Sequence, residues 1–234
     1  MGLLILCVFF FEFIGKAVTN TGLVFGEGRI SQGSDAYIED FPFQASLYLD
    51  GVGFICGATI ISKSSVLTAA LCFRSIEDEE MRDVQIRVGS AQRESGGELY
   101  YAEYIIIHEE FDEPTRGNNN IALIILTDDL VYSSSIRPVF IPRSGWNEVP
   151  PGKEVYVSGW GYTGANAQDL SDTLQYAKIE IIDPRVCEEI YSRFTENMLC
   201  AGTQEGGRNA CAVCVGFLSS WQDQTQLLTF SFSG

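Results

Sequence analysis

The stretch Cys56-Gly-Ala-Thr-Ile-Ile-Ser-Lys-Ser-Ser-Val-Leu-Thr-Ala-Ala-Leu-Cys72 decides the fold. Two apolar, strand-like runs, Gly57–Ile61 and Val66–Ala70, lie between two cysteines. The polar run Ser62-Lys-Ser-Ser65 joins them, which is the grammar of a β-hairpin.

The flanking sequence has the same character. Phe43, Ala45, Leu47 and Leu49 alternate with their neighbours and predict a half-buried strand. Val84-Gln-Ile-Arg-Val88 alternates cleanly and stops at Gly89. Tyr100–Ile107 is rich in β-branched and aromatic residues. Gly117–Asn120 is a turn cluster ahead of the apolar strand Ile121–Leu126. Thr127–Gly152 holds four of the seven prolines and reads as a linker between two halves. Val155–Gly161 opens the second half, and Ala177–Ile182 predicts a further strand. Asp183-Pro184 starts a short helix: the carboxylate caps free amides, and proline at the first helical position loses no needed bond. Many short strands between Gly and Pro turns imply an all-β chain.

Composition narrows the function classes. The chain has 234 residues, 46% hydrophobic and 20% charged, with a formal charge of −16. Such a chain is repelled by phosphate backbones and anionic membrane surfaces, so neither nucleic acid nor a membrane is an expected partner. The acidic runs Glu77–Glu80, Glu109-Glu110 and Asp112-Glu113 read as solvated loop faces. A basic partner or calcium is the alternative for them. Leu3–Ile14 is apolar except for Glu12, and Gly15-Lys16-Ala17 offers small residues around a cleavage point. Residues 1–17 therefore read as a secretory leader, against the alternative of a buried N-terminal segment. No later stretch has the roughly 20 apolar residues that span a bilayer. Setting aside Cys7 leaves Cys56, Cys72, Cys187, Cys200, Cys211 and Cys214. In an exported protein these should pair, in a pattern the sequence leaves open.

Several stretches, in order, resemble the chymotrypsin/trypsin-like serine proteases. They are Arg29-Ile30-Ser-Gln-Gly33, Asp40-Phe-Pro-Phe-Gln-Ala-Ser-Leu47, the hairpin ending Thr68-Ala-Ala-Leu-Cys72, and Asn120-Ile-Ala-Leu123. Val157-Ser-Gly-Trp-Gly161 and Asn197-Met-Leu-Cys-Ala-Gly202 complete the set. The resemblance covers 29–234. It implies two antiparallel six-stranded β-barrels of the chymotrypsin type with a cleft between them. The barrels would span about 30–135 and 150–234, after a short propeptide-like segment over 18–29. The second barrel would be incomplete, because the family continues with another strand and a helix beyond Gly234.

The resemblance also implies roles, and here the residues depart from the pattern. The family ends its hairpin Thr-Ala-Ala-His-Cys; the catalytic base position holds Leu71. The orienting aspartate position holds Asn120, and the nucleophile position holds Val215. Val213 replaces the oxyanion-hole glycine, and Asn209 stands at the base of the specificity pocket. Hydrolysis by this route needs a nucleophile, an imidazole and a carboxylate, so none of the three triad positions is functional. Arg29 and Ile30 match the activation cleavage, but Cys214 offers no fixed charge to hold the new amino terminus. The implied disulfides are Cys56–Cys72 and Cys187–Cys200. Cys211 and Cys214 are left over together, with a local bridge expected over two free thiols.

Other chemistry finds little support. His108, the chain's one histidine, stands where the family often has a non-catalytic one, and a Cys214–His108 dyad is the weaker reading. Cys211-x-x-Cys214 is half of a zinc site, so no metal and no cofactor is expected. Trp146, Trp160 and Trp221 read as core residues. The sequence thus points to a secreted, non-catalytic serine protease homologue that binds or regulates proteins of an extracellular protease cascade. The alternatives are a hydrolase with a rebuilt site and a non-functional shortened remnant. The oligomeric state is left open.

Overall fold

The computed structural model describes residues 6–8, 33–141, 149–163, 169–202, 217–219 and 227–232. The strands run in chain order as β1 (Leu6–Val8), β2 (Ser34–Asp35), β3 (Gln44–Leu49), β4 (Gly53–Ile60), β5 (Ser65–Thr68) and β6 (Val84–Val88). They continue as β7 (Glu98–Ile107), β8 (Ala122–Leu126), β9 (Glu154–Gly159) and β10 (Gln175–Ile181), followed by helix α1 (Pro184–Ile190). β11 (Ala201–Gly202), β12 (Phe217–Ser219) and β13 (Leu227–Phe232) close the series.

The first half is a closed antiparallel barrel in the order β3-β4-β5-β8-β7-β6. Alternation builds it. Val84, Ile86 and Val88 of β6 point inward, with Ala122, Ile124 and Leu126 of β8, while Gln85 and Arg87 face out. Each buried aliphatic side chain contributes about 1.5–3 kcal/mol. The second half is a sheet ordered β1-β13-β12-β9-β10-β11, with β2 also on β10. Among the described residues this sheet is open. Trp160, 2% exposed, anchors a second core with Ala36, Ile38, Phe41 and Leu174. Trp146 and Trp221 lie outside the described residues.

The hairpin forms with a refinement. Its turn closes through the Ile61 and Ser62 N–H groups on the Ser65 carbonyl, with a bond between the Ser62 and Ser65 hydroxyls. The second strand ends at Thr68, whereas the sequence predicts it to Ala70; Ala70–Phe73 is a 3-10 turn. The reason is local: Cys72 must swing back to bond Cys56, and the Thr68 hydroxyl ties to the Gly57 carbonyl. A second correction concerns β3, predicted half-buried. Gln44 and Ser46, on its non-core face, are buried as well. The second half covers that face, where the Ser158 hydroxyl donates to Gln44 Oε1 at 2.8 Å. β10 begins two residues earlier than predicted, because Gln175 and Tyr176 pair with β2 and β9 together.

The described parts of the expected linker, 127–141 and 149–152, have no strand or helix, yet the first is not slack: Leu130 and Ile136 are buried in the first core. α1 starts as expected. Asp183 accepts from the Arg185 N–H, Pro184 opens the helix, and the Arg185 bond holds the Asp183 carboxyl below its ordinary range. Leu6–Val8, inside the stretch read as a leader, lies parallel to β13 with Leu6 opposite Phe230. Only a chain that retains its first residues can make that pairing.

The β6–β7 turn sets a backbone constraint. Gly97 has φ +61°, and a Cβ there would meet the Val88 carbonyl oxygen at 2.1 Å. Gly51, φ +75°, faces open space. Gly97→Ala should therefore cost well over ~2 kcal/mol, and Gly51→Ala only about 1 kcal/mol for its left-handed backbone. Urea melts of both variants check this; equal losses would show the close approach to be relaxed.

Candidate functional site

Two segments distant in sequence meet at one end of the first barrel. β5 pairs with β8, Thr68 opposite Ala122, so the turn after β5 and the loop before β8 share that end. The turn carries Leu71 and the loop carries Asn120. The Leu71 N–H donates to Asn120 Oδ1 at 2.7 Å. Asn120 is 1% exposed, and the half-buried Leu71 side chain packs on the barrel core.

The loop before β8 is built from amides. Asn118, Asn119 and Asn120 are all buried. Asn119 takes φ +52°, a left-handed conformation that asparagine tolerates. Its Nδ2 donates to the Glu110 and Glu113 carbonyls, and its Oδ1 accepts from Asn197 Nδ2 at 3.1 Å. Asn118 Oδ1 accepts from the Thr195 hydroxyl at 2.6 Å. The Gly117 N–H is held by Asp112 Oδ1, and Asp112 pairs with Arg74. Asn118 and Asn119 thus bind the second half, and Asn120 binds the turn of Leu71. Sequence reasoning took Asn118 and Asn119 only as part of a turn; three successive amides ahead of a buried strand were the available signal.

His108 stands at the end of β7, its N–H on the Ile121 carbonyl and its Nδ1 accepting from the Glu110 N–H at 3.1 Å. The acidic runs are solvated: Glu77–Glu80, Glu109, Glu110 and Glu113 are exposed, and only Asp112 is half-buried. Among the described residues no three His, Cys, Asp or Glu side chains cluster to hold a metal. The disulfides Cys56–Cys72 and Cys187–Cys200 are both formed, the second tying α1 to the approach to β11. Arg29, Ile30, Asn209, Cys211, Val213, Cys214 and Val215 lie outside the described residues.

Chemically, Leu71 and Asn120 form a neutral, buried hydrogen-bonded pair. Removing the acceptor leaves a half-buried N–H unsatisfied, which costs about 1–3 kcal/mol. Asn120→Ala should lower unfolding stability by that amount. Asn120→Asp should restore the acceptor but cost less stability at pH 4 than at pH 7. A carboxyl there is buried beside hydrocarbon and is more stable protonated. Denaturant titrations at the two pH values check both.

The Trypsin family profile matches residues 30–212, ending before Val215. Hypodermin-A of Hypoderma lineatum is 36% identical over 203 residues, 85% of this chain and 75% of that protein. Trypsin 5G1 of Aedes aegypti is 34% identical over 187 residues, 79% of this chain and 68% of that protein. The vitellin-degrading protease of Bombyx mori is 32% identical over 204 residues, 86% of this chain and 75% of that protein. With a closed six-stranded barrel, the two disulfides and a match over most of its length, this chain belongs to the trypsin family of serine endopeptidases.

Proposed function

We propose that this chain is a secreted, non-catalytic member of the trypsin family, acting as a binding or regulatory module in extracellular proteolysis. The observation that carries the reading is the Leu71–Asn120 pair. A general base needs an atom that takes up a proton near neutral pH, within hydrogen-bond reach of the nucleophile. Leu71 offers hydrocarbon, packed against the barrel core. Asn120 offers an amide that already accepts from the Leu71 backbone. By resemblance Val215 takes the nucleophile position, Val213 the oxyanion glycine and Asn209 the pocket base. Its partners would be proteins of an extracellular protease cascade, and no cofactor is called for.

Peptidase and esterase turnover should not exceed that of heat-treated protein. Val215→Ser alone should stay inactive, since no base assists the hydroxyl. Labelling by a fluorophosphonate, run beside an active family member, reads this directly. Turnover that such a reagent inhibits would overturn the proposal.

Secretion is part of the same reading. The apolar leader over 1–17, the propeptide-like segment over 18–29 and two disulfides support it. Cleavage after Arg29 would free Ile30, but Cys214 in place of a carboxylate leaves that terminus without its ion pair. The secreted protein should begin near Val18, read by N-terminal sequencing of the medium fraction. Retention of Met1, with Leu6–Val8 kept on β13, would contradict the leader.

A further inference from the structure

The outer wall of the first barrel carries apolar side chains where a solvated strand carries polar ones. On β7, Tyr100, Ala102, Ile105 and Ile107 turn toward the core. A register shift between Ala102 and Tyr104 resets the alternation, so Tyr101 and Tyr104 both face out. Leu99, Tyr101, Tyr104 and Ile106 are 44%, 50%, 52% and 50% exposed. Beside them on β8 are the half-buried Ile125, opposite Tyr104, and Leu123, opposite Ile106. At about 3.3 Å per residue the stripe is roughly 23 Å long. With each side chain half exposed, it offers roughly 400 Å². Single exposed apolar residues need no explanation, but a patch of this size matches the largest on a typical monomer, which is often functional.

The rim of this stripe is acidic. Glu103 sits in the bulge of β7, and Glu109 and Glu110 follow its end. Asp128 and Asp129 are brought alongside by the Thr127 N–H on the Tyr101 carbonyl. All five are exposed, and among the described residues none forms an ion pair with lysine or arginine. The neighbouring cations are engaged elsewhere. Arg87, opposite Leu99, donates to the Gly96 carbonyl and lies over the Tyr48 ring, and Lys63 lies over Tyr132. Burial, then the bond to Glu98, then the Glu98 and Asp128 charges raise the Tyr100 phenol above its ordinary range.

We propose that this wall is a docking surface for a basic polypeptide segment, with apolar side chains set between lysines or arginines. The apolar stripe supplies contact area and the five carboxylates supply charge complementarity. A second copy of the chain is disfavoured by the charge of −16 on each. β7 pairs with β6 over Glu98–Tyr101 and with β8 over Ala102–Ile107 within a closed barrel, and the partner engages its outward side chains. The surface uses neither Leu71 nor Asn120, so it goes beyond the non-catalytic reading and stands or falls separately from it.

The test is fluorescence anisotropy of the purified full chain with three labelled peptides at about 150 mM salt. One peptide alternates Lys and Leu, one alternates Glu and Leu, and one alternates Lys and Ser. The Lys-Leu peptide should bind, and the other two should bind at least about tenfold more weakly. Tyr101→Ser with Ile106→Ser, and separately Glu103→Lys, should each weaken the Lys-Leu peptide about tenfold. Glu188→Gln with Glu189→Gln, on α1, should leave it unchanged. Thermal melts accompany each variant; if the double substitution melts early, Glu103→Lys carries the comparison. Equal binding of the Lys-Ser peptide, no binding of the Lys-Leu peptide, or patch variants that bind like the parent would overturn the proposal. So would sedimentation showing self-association that Tyr101→Ser with Ile106→Ser disperses.

Discussion

A hydrogen bond from the Leu71 N–H to the Asn120 side chain joins the turn after β5 to the loop before β8. Its chemistry constrains both positions together. By resemblance an active relative places an imidazole and a carboxylate here, and the carboxylate's charge is tolerable because an imidazolium answers it. With Leu71 in the first position, a carboxylate at 120 would be a charge buried beside hydrocarbon, which costs several kcal/mol or drives protonation. Asparagine keeps the acceptor oxygen in nearly the same place and removes the charge. By the resemblance, the two departures would be one physical adjustment.

The same loop carries the seam between the halves. Asn118 and Asn119 reach Thr195 and Asn197, and Gln44 meets Ser158 on the buried face of β3. These are neutral amide and hydroxyl bonds, each worth about 1 kcal/mol net but more costly to leave unmade. Arg93 adds a bond to the Ser171 carbonyl and a pair with Asp172 at the opposite rim. Trp160 donates to the Ala91 carbonyl between them. The relative position of the halves is thus set by directional bonds at several points.

What the sequence made legible was local. The alternation of Val84–Val88, the Ser62–Ser65 turn and the Asp183-Pro184 cap all appear where the residues predict them, because each is decided within a few positions. Both disulfide pairings follow the resemblance, since they depend on the whole fold. What escaped was non-local. β3 hides its second face because β9 and its neighbours cover it, and no period within β3 can report that. β10 starts early because two strands wait at its first residues. The roles of Asn118 and Asn119 depend on partners some 77 and 78 positions away. At the candidate site Leu71 and Asn120 were legible as departures from a pattern, and their direct bond was not.

Catalytic side chains are held in place by a fold and contribute little to it. Buried ionisable groups are costly to desolvate, so replacing them with packed or neutral ones tends to leave stability equal or higher. Leu71 adds apolar contact to the first core, at the position that by resemblance would carry an imidazole. The barrel closes through β3 to β8 without drawing on that side chain's chemistry. A chain of this family can therefore keep its disulfides, hairpin and seam while its cleft residues change character. Its outward surface is then free to vary, and on the outer wall of β7 stand the exposed Leu99, Tyr101, Tyr104 and Ile106.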